Sequence, residues 1–255
     1  MSDDIPTLFV GGLPIIAINR VEFAQMMVRD WHRVRDAKDP PAPKVSFSAN
    51  GELLSLNASD VTLSKALKQA DTIDADGQSL VIFTKLRPGP ALPERISTTD
   101  FFHDAAKVAE ENGIRFYFLG ATDEVVRNTV STVQDQYPNL KIVGWHNGYF
   151  SSDKEEKIFA AIRETKPDIV WVGMGSPRQQ LFCIRARDQL KGVTWIKSCG
   201  GLFDFLSGKN RRAPLWMQDM GLEWLFRMAL EPRRLFARYA VTNVHAIYLM
   251  LFRRT

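Results

Sequence analysis

The sequence has little cysteine and little histidine. Among its 255 residues, two are Cys and four are His. Cys183 and Cys199 form neither a disulfide framework nor a metal-ligand spacing, and this usage is typical of a reducing compartment. The histidines are scattered, so we interpret His146, in "GWHNGYF", as a hydrogen-bonded structural residue rather than a catalytic one.

Long apolar runs and an export signal are also missing. No apolar run approaches the ~20 residues that a spanning helix requires. The first residues, "MSDDIPTLFVGGL", begin acidic and lack the basic segment of an export signal. We therefore expect a cytoplasmic protein. Its 45% hydrophobic content is enough for a substantial core in one domain, or in one domain with an appendage.

Acidic residues are scarce near the C-terminus. Residues 205–255 hold nine Lys/Arg against three Asp/Glu, a net charge of +6, whereas the first 204 residues carry −2. From about residue 209 the pattern predicts helix throughout, dense in Trp, Leu, Phe, Met and Arg and broken at Pro232. Such a segment suits an anionic partner: phosphate, nucleic acid or a membrane surface.

The end of this segment has no charged side chains. Residues 239–252 lack Asp, Glu, Lys and Arg, and at 14 residues they are too short to span a bilayer. Flanked by Arg238 and Arg253-Arg254, they predict an interfacial amphipathic helix, with a packing helix or an oligomer contact as the alternative. The large apolar content favours lipid or protein over nucleic acid as the partner.

The rest of the chain alternates strand and helix patterns. From about residue 113, a β-α-β-α-β-α-β series predicts a Rossmann-like parallel sheet covered by helices. Within it, "DIVWV" is β-branched and aromatic without polar alternation, as in a strand buried on both faces. We expect an α/β core over residues 1–208 and a helical appendage over residues 209–255.

The stretch "GMGSPRQQLF" follows that buried strand. Ser176 is predicted to be an N-cap, Pro177 the first helical residue and Gln179 the partner that completes a capping box. In such a sheet this junction is where ligands bind, with helix amides facing anions, so Gly175 and Gln179 are also candidates for ligand contact. A dinucleotide motif would need a third glycine where Arg178 stands.

The sequence "DADG" at residues 74–77 admits three interpretations. Asp76-Gly77 is a common turn dipeptide. Asp74 and Asp76 together could hold a divalent cation against a diphosphate. One carboxylate could instead act as a general base on a hydroxyl. The spacing alone leaves all three open.

Three further places could contact a ligand. Ser48 and Asn50 end a predicted strand, where side chains can face a ligand, although this stretch taken alone favours a plain loop start. Arg95, in "LPERIS", could clamp a phosphate through its guanidinium fork, or it could be a solvated surface charge. Gly200-Gly201 could bring backbone against a ligand, or form a tight turn before the terminal helices.

The motifs together resemble those of the WecG/TagA/CpsF family of bacterial glycosyltransferases. They occur in family order from about residue 45 to 240: "SAN", "ADG", "LPERISTTD", "FLGATDEVV", "YPNLKIVGWHNGYF", "PDIVWVGMGSPRQQ", "GGLFDFLSGKNRRAPLWMQ", "GLEWLFR" and "EPRRLFARY". The resemblance implies an α/β core, and transfer with inversion from a UDP-sugar to a polyprenyl-diphosphate-linked sugar. It implies no cofactor and no metal, and a C-terminal appendage that helps close the site at the inner face of the plasma membrane.

The resemblance also implies roles for individual residues. Asp76 would be the base that deprotonates the acceptor hydroxyl, and Gln179 and Gly175 would lie at the donor. Ser48 and Asn50 would line the site where the family usually has Thr-x-Asn. The arginines would contact diphosphate groups: Arg95, Arg227, Arg234 and Arg238.

This chain departs from the family pattern at two places that bear on these roles. Gln180 stands where the family usually has Glu, so a role for an acid at that position is absent, and Ser48 replaces Thr. The donor is interpreted as UDP-glucose, with UDP-N-acetylmannosamine or its uronate as the alternative. A non-catalytic membrane-binding scaffold is the alternative outside the enzymes, and homo-oligomerisation stays open.

Overall fold

The computed structural model describes residues 5–253, apart from the side chains of Arg234 and Ala237. The strands in this part of the chain are β1 (Thr7–Val10), β2 (Leu13–Ile16), β3 (Lys44–Ala49), β4 (Thr72–Ala75), β5 (Arg115–Gly120), β6 (Lys141–His146), β7 (Ile169–Gly173) and β8 (Trp195–Ser198).

The α-helices of the same described range are α1 (Arg20–Arg35), α2 (Gly51–Ser59), α3 (Val61–Leu67), α4 (Gln78–Lys85), α5 (Thr98–Asn112), α6 (Asp123–Gln136), α7 (Glu155–Thr165), α8 (Arg178–Gln189), α9 (Leu202–Leu206), α10 (Leu215–Asp219), α11 (Glu223–Leu230) and α12 (Pro232–Phe252).

Six strands form one sheet in the order β4-β3-β8-β7-β5-β6, and every neighbouring pair is parallel. Helices cover both faces, as a sheet built from strand–helix–strand crossovers requires. The predicted Rossmann-like α/β fold is confirmed. β1 and β2 form a separate antiparallel hairpin.

Strand β7 lies at the centre of the molecule and is buried at all five positions. Its side chains alternate between the two faces: Val170 and Val172 join one core cluster, whereas Ile169 and Trp171 join the other. The sequence of β7 shows no alternation of apolar and polar residues, because both faces of the sheet pack against apolar side chains. The expectation of a strand buried on both faces is confirmed.

The C-terminal segment is less uniformly helical than expected. Residues 207–214 form no helix, and Gly221, at φ +73°, separates α10 from α11. A left-handed backbone of this kind ends a helix, which is why the prediction of helix throughout is wrong. Pro232 is the first residue of α12, where its missing N–H costs no hydrogen bond.

Helix α12 is packed onto the α/β core along α2. Its residues Ala246, Leu249 and Met250 belong to the same core cluster as Leu53 and Leu54 of α2. Of the described helices, none combines the length and the apolar character that crossing a bilayer requires. The last helix therefore contributes to the core on one side and to the surface on the other.

Candidate active site

One large cavity, of about 580 Å³, lies at the carboxyl edge of the sheet. A residue just beyond each of the six strands lines it: Asn50, Asp76, Ala121, Gly148, Gly175 and Gly200. Parallel strands end at the same edge, and in open α/β sheets this is the edge where ligands bind. Residues of α11 and α12 complete the wall, among them Glu223, Arg238 and Ile247.

Asp76 follows β4 and faces this cavity. Its Oδ1 accepts a hydrogen bond from the backbone N–H of Thr98, at 2.9 Å, and its main-chain oxygen accepts from Arg95 Nε, at 2.7 Å. Thr98 is the first residue of α5, so the carboxylate lies at the positive end of a 15-residue helix. Within the described residues Oδ2 has no hydrogen-bond partner, which leaves it available to a ligand.

The residue after Asp76 has to be glycine, because the end of β3 lies too close to Gly77 for a side chain. A Cβ at Gly77 would lie 3.1 Å from Asn50 Cα, a backbone atom that cannot easily move. The Gly77 N–H donates to the Ala49 carbonyl at 3.0 Å. The Asp76-Gly77 pair therefore holds the end of β4 against the end of β3, where Ser48 and Asn50 lie.

The second carboxylate of "DADG" does not share the cavity with Asp76. Asp74 is completely buried, and its Oδ1 accepts from the Lys197 ammonium. Burial raises the pKa of the Asp74 carboxyl, and the neighbouring Lys197 opposes that rise. Because one of its oxygens is already bound to a cation, the geometry disfavours a metal site made from Asp74 and Asp76.

Ser48 and Asn50 line the cavity beside Asp76. The Ser48 hydroxyl accepts from Lys197 Nζ at 2.7 Å and from Thr98 Oγ1 at 3.0 Å. Asn50 is the N-cap of α2, because its Oδ1 accepts from the Leu53 N–H at 3.0 Å. The amide Nδ2 of Asn50 is then the group that remains for a ligand.

Arg95 lies between the loop that carries Asp76 and the C-terminal helices. Besides its bond to the Asp76 carbonyl, its Nη2 donates to Glu223 Oε2 at 2.7 Å. The other Glu223 oxygen accepts from Arg212 Nε at 3.2 Å, and Arg212 also pairs with Asp100 of α5. These ion pairs join α11 to the loop that carries Asp76.

Gln179 does not form the predicted capping box. Helix α8 begins at Arg178 without a side-chain cap, and Gln179 Oε1 instead accepts from the Gly200 N–H at 3.2 Å. The Ser176 hydroxyl accepts from Gln180 Nε2 at 2.9 Å. The capping-box prediction is wrong because Gln179 is bound by a backbone donor that lies 21 residues away in the sequence.

Glycines form the part of the cavity wall nearest to Gln179. Gly175 and Gly200 have φ of +78° and +52°, and a Cβ at either would meet nothing within 4 Å. Gly173 is different, since a Cβ there would lie 2.9 Å from the Gly200 carbonyl oxygen. The open glycines let a ligand approach the backbone closely.

Two of the three C-terminal arginines predicted to bind diphosphate line the cavity. The Arg227 guanidinium lies 5.5 Å from the ring centroid of Phe205, and Arg238 Nη1 donates to Glu52 Oε1 at 3.1 Å. Arg238 Nε is buried without a hydrogen-bond partner among the described residues. The side chain of Arg234 falls outside the described part of the structure.

Sequence reasoning missed Lys197, Thr98 and Glu223. The local sequence around Lys197 does indicate its role, because a lysine inside the apolar strand pattern "VTWIKS" predicts a buried charge that needs a partner. Thr98 and Glu223 have no such signal, since the partners that tie them to the loop of Asp76 are more than twenty residues away: Asp76 for Thr98 and Arg95 for Glu223. His146 is absent from the cavity wall, and its Nδ1 lies 2.7 Å from the Asn147 carbonyl oxygen.

The chain matches one family model over nearly its whole length. The model is that of the glycosyl transferase WecG/TagA/CpsF family, and the match covers residues 10–255. It includes every element that lines the cavity, from β3 to α12. The members of this family are glycosyltransferases of cell-surface polysaccharide synthesis.

Proposed function

We propose a specific reaction for this chain, which belongs to the WecG/TagA/CpsF glycosyltransferase family. The chain transfers a sugar from a UDP-sugar, preferentially UDP-glucose, to a sugar carried on a polyprenyl diphosphate, with inversion at the transferred carbon. One observation supports this most directly: a carboxylate with a free oxygen faces a cavity that also holds Arg95, Arg227 and Arg238.

Asp76 is the base of this reaction. As the acceptor oxygen attacks the anomeric carbon, Oδ2 of Asp76 takes the hydroxyl proton, and the bond to the UDP oxygen breaks with its electron pair. A single displacement of this kind inverts the anomeric carbon. The Thr98 N–H holds the other carboxylate oxygen, so the base is oriented before the acceptor arrives.

The departing UDP gains negative charge on its β-phosphate, and that charge must be stabilised. Arg227 and Arg238 line the cavity from the C-terminal helices, and Arg238 Nε is a buried donor without a partner among the described residues. Their guanidinium groups are the donors that we assign to the anion. Gln179 contributes its Nε2 to the donor, since its Oε1 is bound to Gly200. In this scheme the arginines supply the positive charge, so a divalent cation is not required.

The lipid-linked acceptor reaches the site at the membrane surface. Helix α12 carries an exposed apolar stripe, which consists of Phe236, Val241, Val244, Ile247, Tyr248, Leu251 and Phe252. Leu215 and Trp216 of α10, and Met220 directly after it, are also exposed. Apolar residues in this number, next to exposed Arg233 and Arg253, match an element that lies in the headgroup region of an anionic bilayer. Residues 209–255 thus act as an appendage that closes the site and contacts the inner face of the plasma membrane.

The proposal is tested by UDP release from a panel of UDP-sugars. The acceptor is a polyprenyl-diphosphate-linked glucose, and EDTA is present throughout. Turnover with one donor, unchanged by EDTA, is the expected result and identifies the sugar. Activity that appears only after Mn²⁺ is added contradicts the metal-free scheme, and turnover only with UDP-N-acetylmannosamine or its uronate contradicts the glucose preference.

If no donor gives UDP release, the proposed reaction is contradicted. Thermal unfolding then distinguishes an enzyme with another acceptor from a membrane-binding scaffold. If UDP raises the Tm, the chain binds the nucleotide and another acceptor is in use. If UDP has no effect and the protein binds anionic liposomes, the chain is a membrane-binding scaffold.

A further inference from the structure

Within the described part of the chain, Lys197 is the only buried lysine, and its side chain has no solvent exposure. It lies on β8, in the centre of the sheet. Removing an ammonium from water costs several kcal/mol unless close partners compensate. A buried lysine therefore needs a structural or functional reason, and the proposed reaction does not use it directly.

The partners of Lys197 lie on two other strands. Its Nζ donates to Ser48 Oγ on β3, at 2.7 Å, and to Asp74 Oδ1 on β4. Because β3 separates β4 from β8, the lysine side chain reaches across one strand to the next. Its ammonium is therefore anchored directly behind the cavity wall, to which Ser48 belongs.

Beyond Ser48, two further hydrogen bonds connect this ammonium to the carboxylate of Asp76. The Thr98 hydroxyl donates to the same Ser48 oxygen, at 3.0 Å, and the Thr98 N–H donates to Asp76 Oδ1, at 2.9 Å. Ser48 thus accepts from Lys197 and from Thr98 together. Moving the ammonium would release Ser48, then Thr98, and then the bond that orients Asp76.

We propose that Lys197 is a positioning residue of the transfer reaction. Its buried Nζ holds Ser48, and through Thr98 it fixes the orientation of the Asp76 carboxylate, with Asp74 as its second partner. This inference rests on the proposed function in taking Asp76 as the base. Lys197 itself touches neither substrate.

The experiment compares two variants of the full-length protein. Lys197→Met combined with Asp74→Leu removes both charges and preserves the buried volume, a replacement that folded proteins often tolerate. The matched control is Asp168→Asn, which weakens the Asp168–Arg115 ion pair at the opposite edge of the sheet. Two quantities are measured: sugar transfer, and hydrogen exchange at the Thr98 amide.

In the double variant we expect kcat to fall about tenfold to 100-fold, because a small displacement of a catalytic group has effects of this size. The KM for the donor and the affinity for UDP should be unchanged. The Thr98 amide should exchange faster. Asp168→Asn should leave kcat and Thr98 exchange as in the wild type, although it lowers stability.

Wild-type kcat in the folded double variant would overturn the proposal, as would an equal loss of kcat in the control or unchanged exchange at Thr98. If the double variant fails to fold, Thr98→Val removes the link to Ser48 and keeps the backbone N–H. It should lower kcat and speed exchange at residue 98, and wild-type values of both would contradict the proposal. Hydrogen exchange at the Thr98 amide can be measured even if the wild-type protein transfers no sugar. Failure of the proposed function is therefore distinguishable from failure of the proposed role of Lys197.

Discussion

The hydrogen bonds of charged side chains differ between the two edges of the sheet. At the amino edge, where the strands begin, the buried carboxylates of Asp30 and Asp168 are paired by the protein, although the buried Thr194 hydroxyl there has no partner among the described residues. At the carboxyl edge, where the strands end, several polar groups have a donor or acceptor left over. For the charged groups, the difference separates those that hold the fold together from those available to a ligand.

Asp30 and Asp168 illustrate the amino edge. Asp30 is buried and accepts from Lys44 Nζ, at 2.7 Å, and from Trp195 Nε1, at 2.8 Å. Asp168 binds Arg115 through both carboxylate oxygens, and one of these also accepts the Arg115 backbone N–H. Lys44, Trp195 and Arg115 are all first residues of strands. These ion pairs fix the strand starts to one another.

The carboxyl edge carries the unfilled groups. Within residues 5–253, the half-buried Asp76 accepts a side-chain hydrogen bond only at Oδ1. The buried Arg238 Nε lacks a partner there, and Gln179 uses only its oxygen. Two cavity glycines have open space where a side chain would stand. Groups with a free donor or acceptor beside a cavity are available to pair with a ligand. The comparison therefore favours this edge as the place where a ligand binds.

The largest effect is expected at Asp76. Asp76→Asn keeps the size of the side chain but removes the group that takes the proton, so turnover should fall about 100-fold to 10,000-fold, the usual contribution of a general base. The affinity for UDP should persist, because the nucleotide is bound by other residues. UDP-release kinetics and calorimetry with UDP measure the two quantities.

Asp30→Asn is the matched control at the amino edge. It changes a carboxylate of the same type, buried to 2% exposure, without touching the cavity. Its kcat should equal that of the wild type. If Asp76→Asn has near-wild-type turnover, Asp76 is not the base.

Much of this arrangement could be predicted from the sequence, because strand ends are local features. Ser48, Asn50, Asp76 and Gly175 follow apolar strand patterns, and a parallel sheet brings such ends to one edge. The local pattern left the roles of Ser48, Asn50 and Asp76 open, and the family motifs supplied them together with Arg227 and Arg238. Arg95 was a candidate phosphate clamp by its residue type, but its relation to the strands is not visible in the local pattern.

The sequence did not predict hydrogen bonds between side chains and partners that are distant along the chain. The residues around Gln179 match the sequence pattern of a capping box, but its Oε1 instead accepts a hydrogen bond from the Gly200 N–H. Lys197 was missed because its acceptors lie on β3 and β4, more than a hundred residues away. Hydrogen bonds between distant elements depend on the packed sheet, and the local sequence does not encode them.

The next largest effect is expected at Arg238. Arg238→Met preserves the aliphatic stem and removes the unpartnered donor, so the Kd for UDP should rise about tenfold to 100-fold, as for the loss of a charge-assisted hydrogen bond. Isothermal calorimetry with UDP measures this. Arg185→Met is the control, since Arg185 pairs with Glu155 and is absent from the cavity wall. Equal weakening in both variants would mean that overall charge, rather than this site, binds the nucleotide.

A smaller effect is expected on the outer face of α12. Val244 is 68% exposed, and Val244→Glu places a negative charge in the apolar stripe, so binding to anionic liposomes should weaken about tenfold. Liposome co-sedimentation measures it. Val61→Glu on α3 is the control, because Val61 is equally exposed, at 70%, and lies outside the terminal helices. Turnover with a water-soluble acceptor should be unchanged in both. Unweakened binding in Val244→Glu would place the membrane contact elsewhere.

The smallest effect on activity is expected at the amino edge, from Asp168→Asn. Asp168 is 6% exposed, and the variant leaves Arg115 without its counter-ion. Because Arg115 is about two-fifths exposed, water replaces part of the lost interaction, and we expect the free energy of unfolding to fall by about 1–3 kcal/mol rather than the larger loss of a fully buried pair. Chemical denaturation measures the stability, and kinetics below the unfolding transition measure kcat. A loss of kcat in the fully folded variant would show that the two edges are coupled, and the separation between fold-holding and ligand-facing groups would then be wrong.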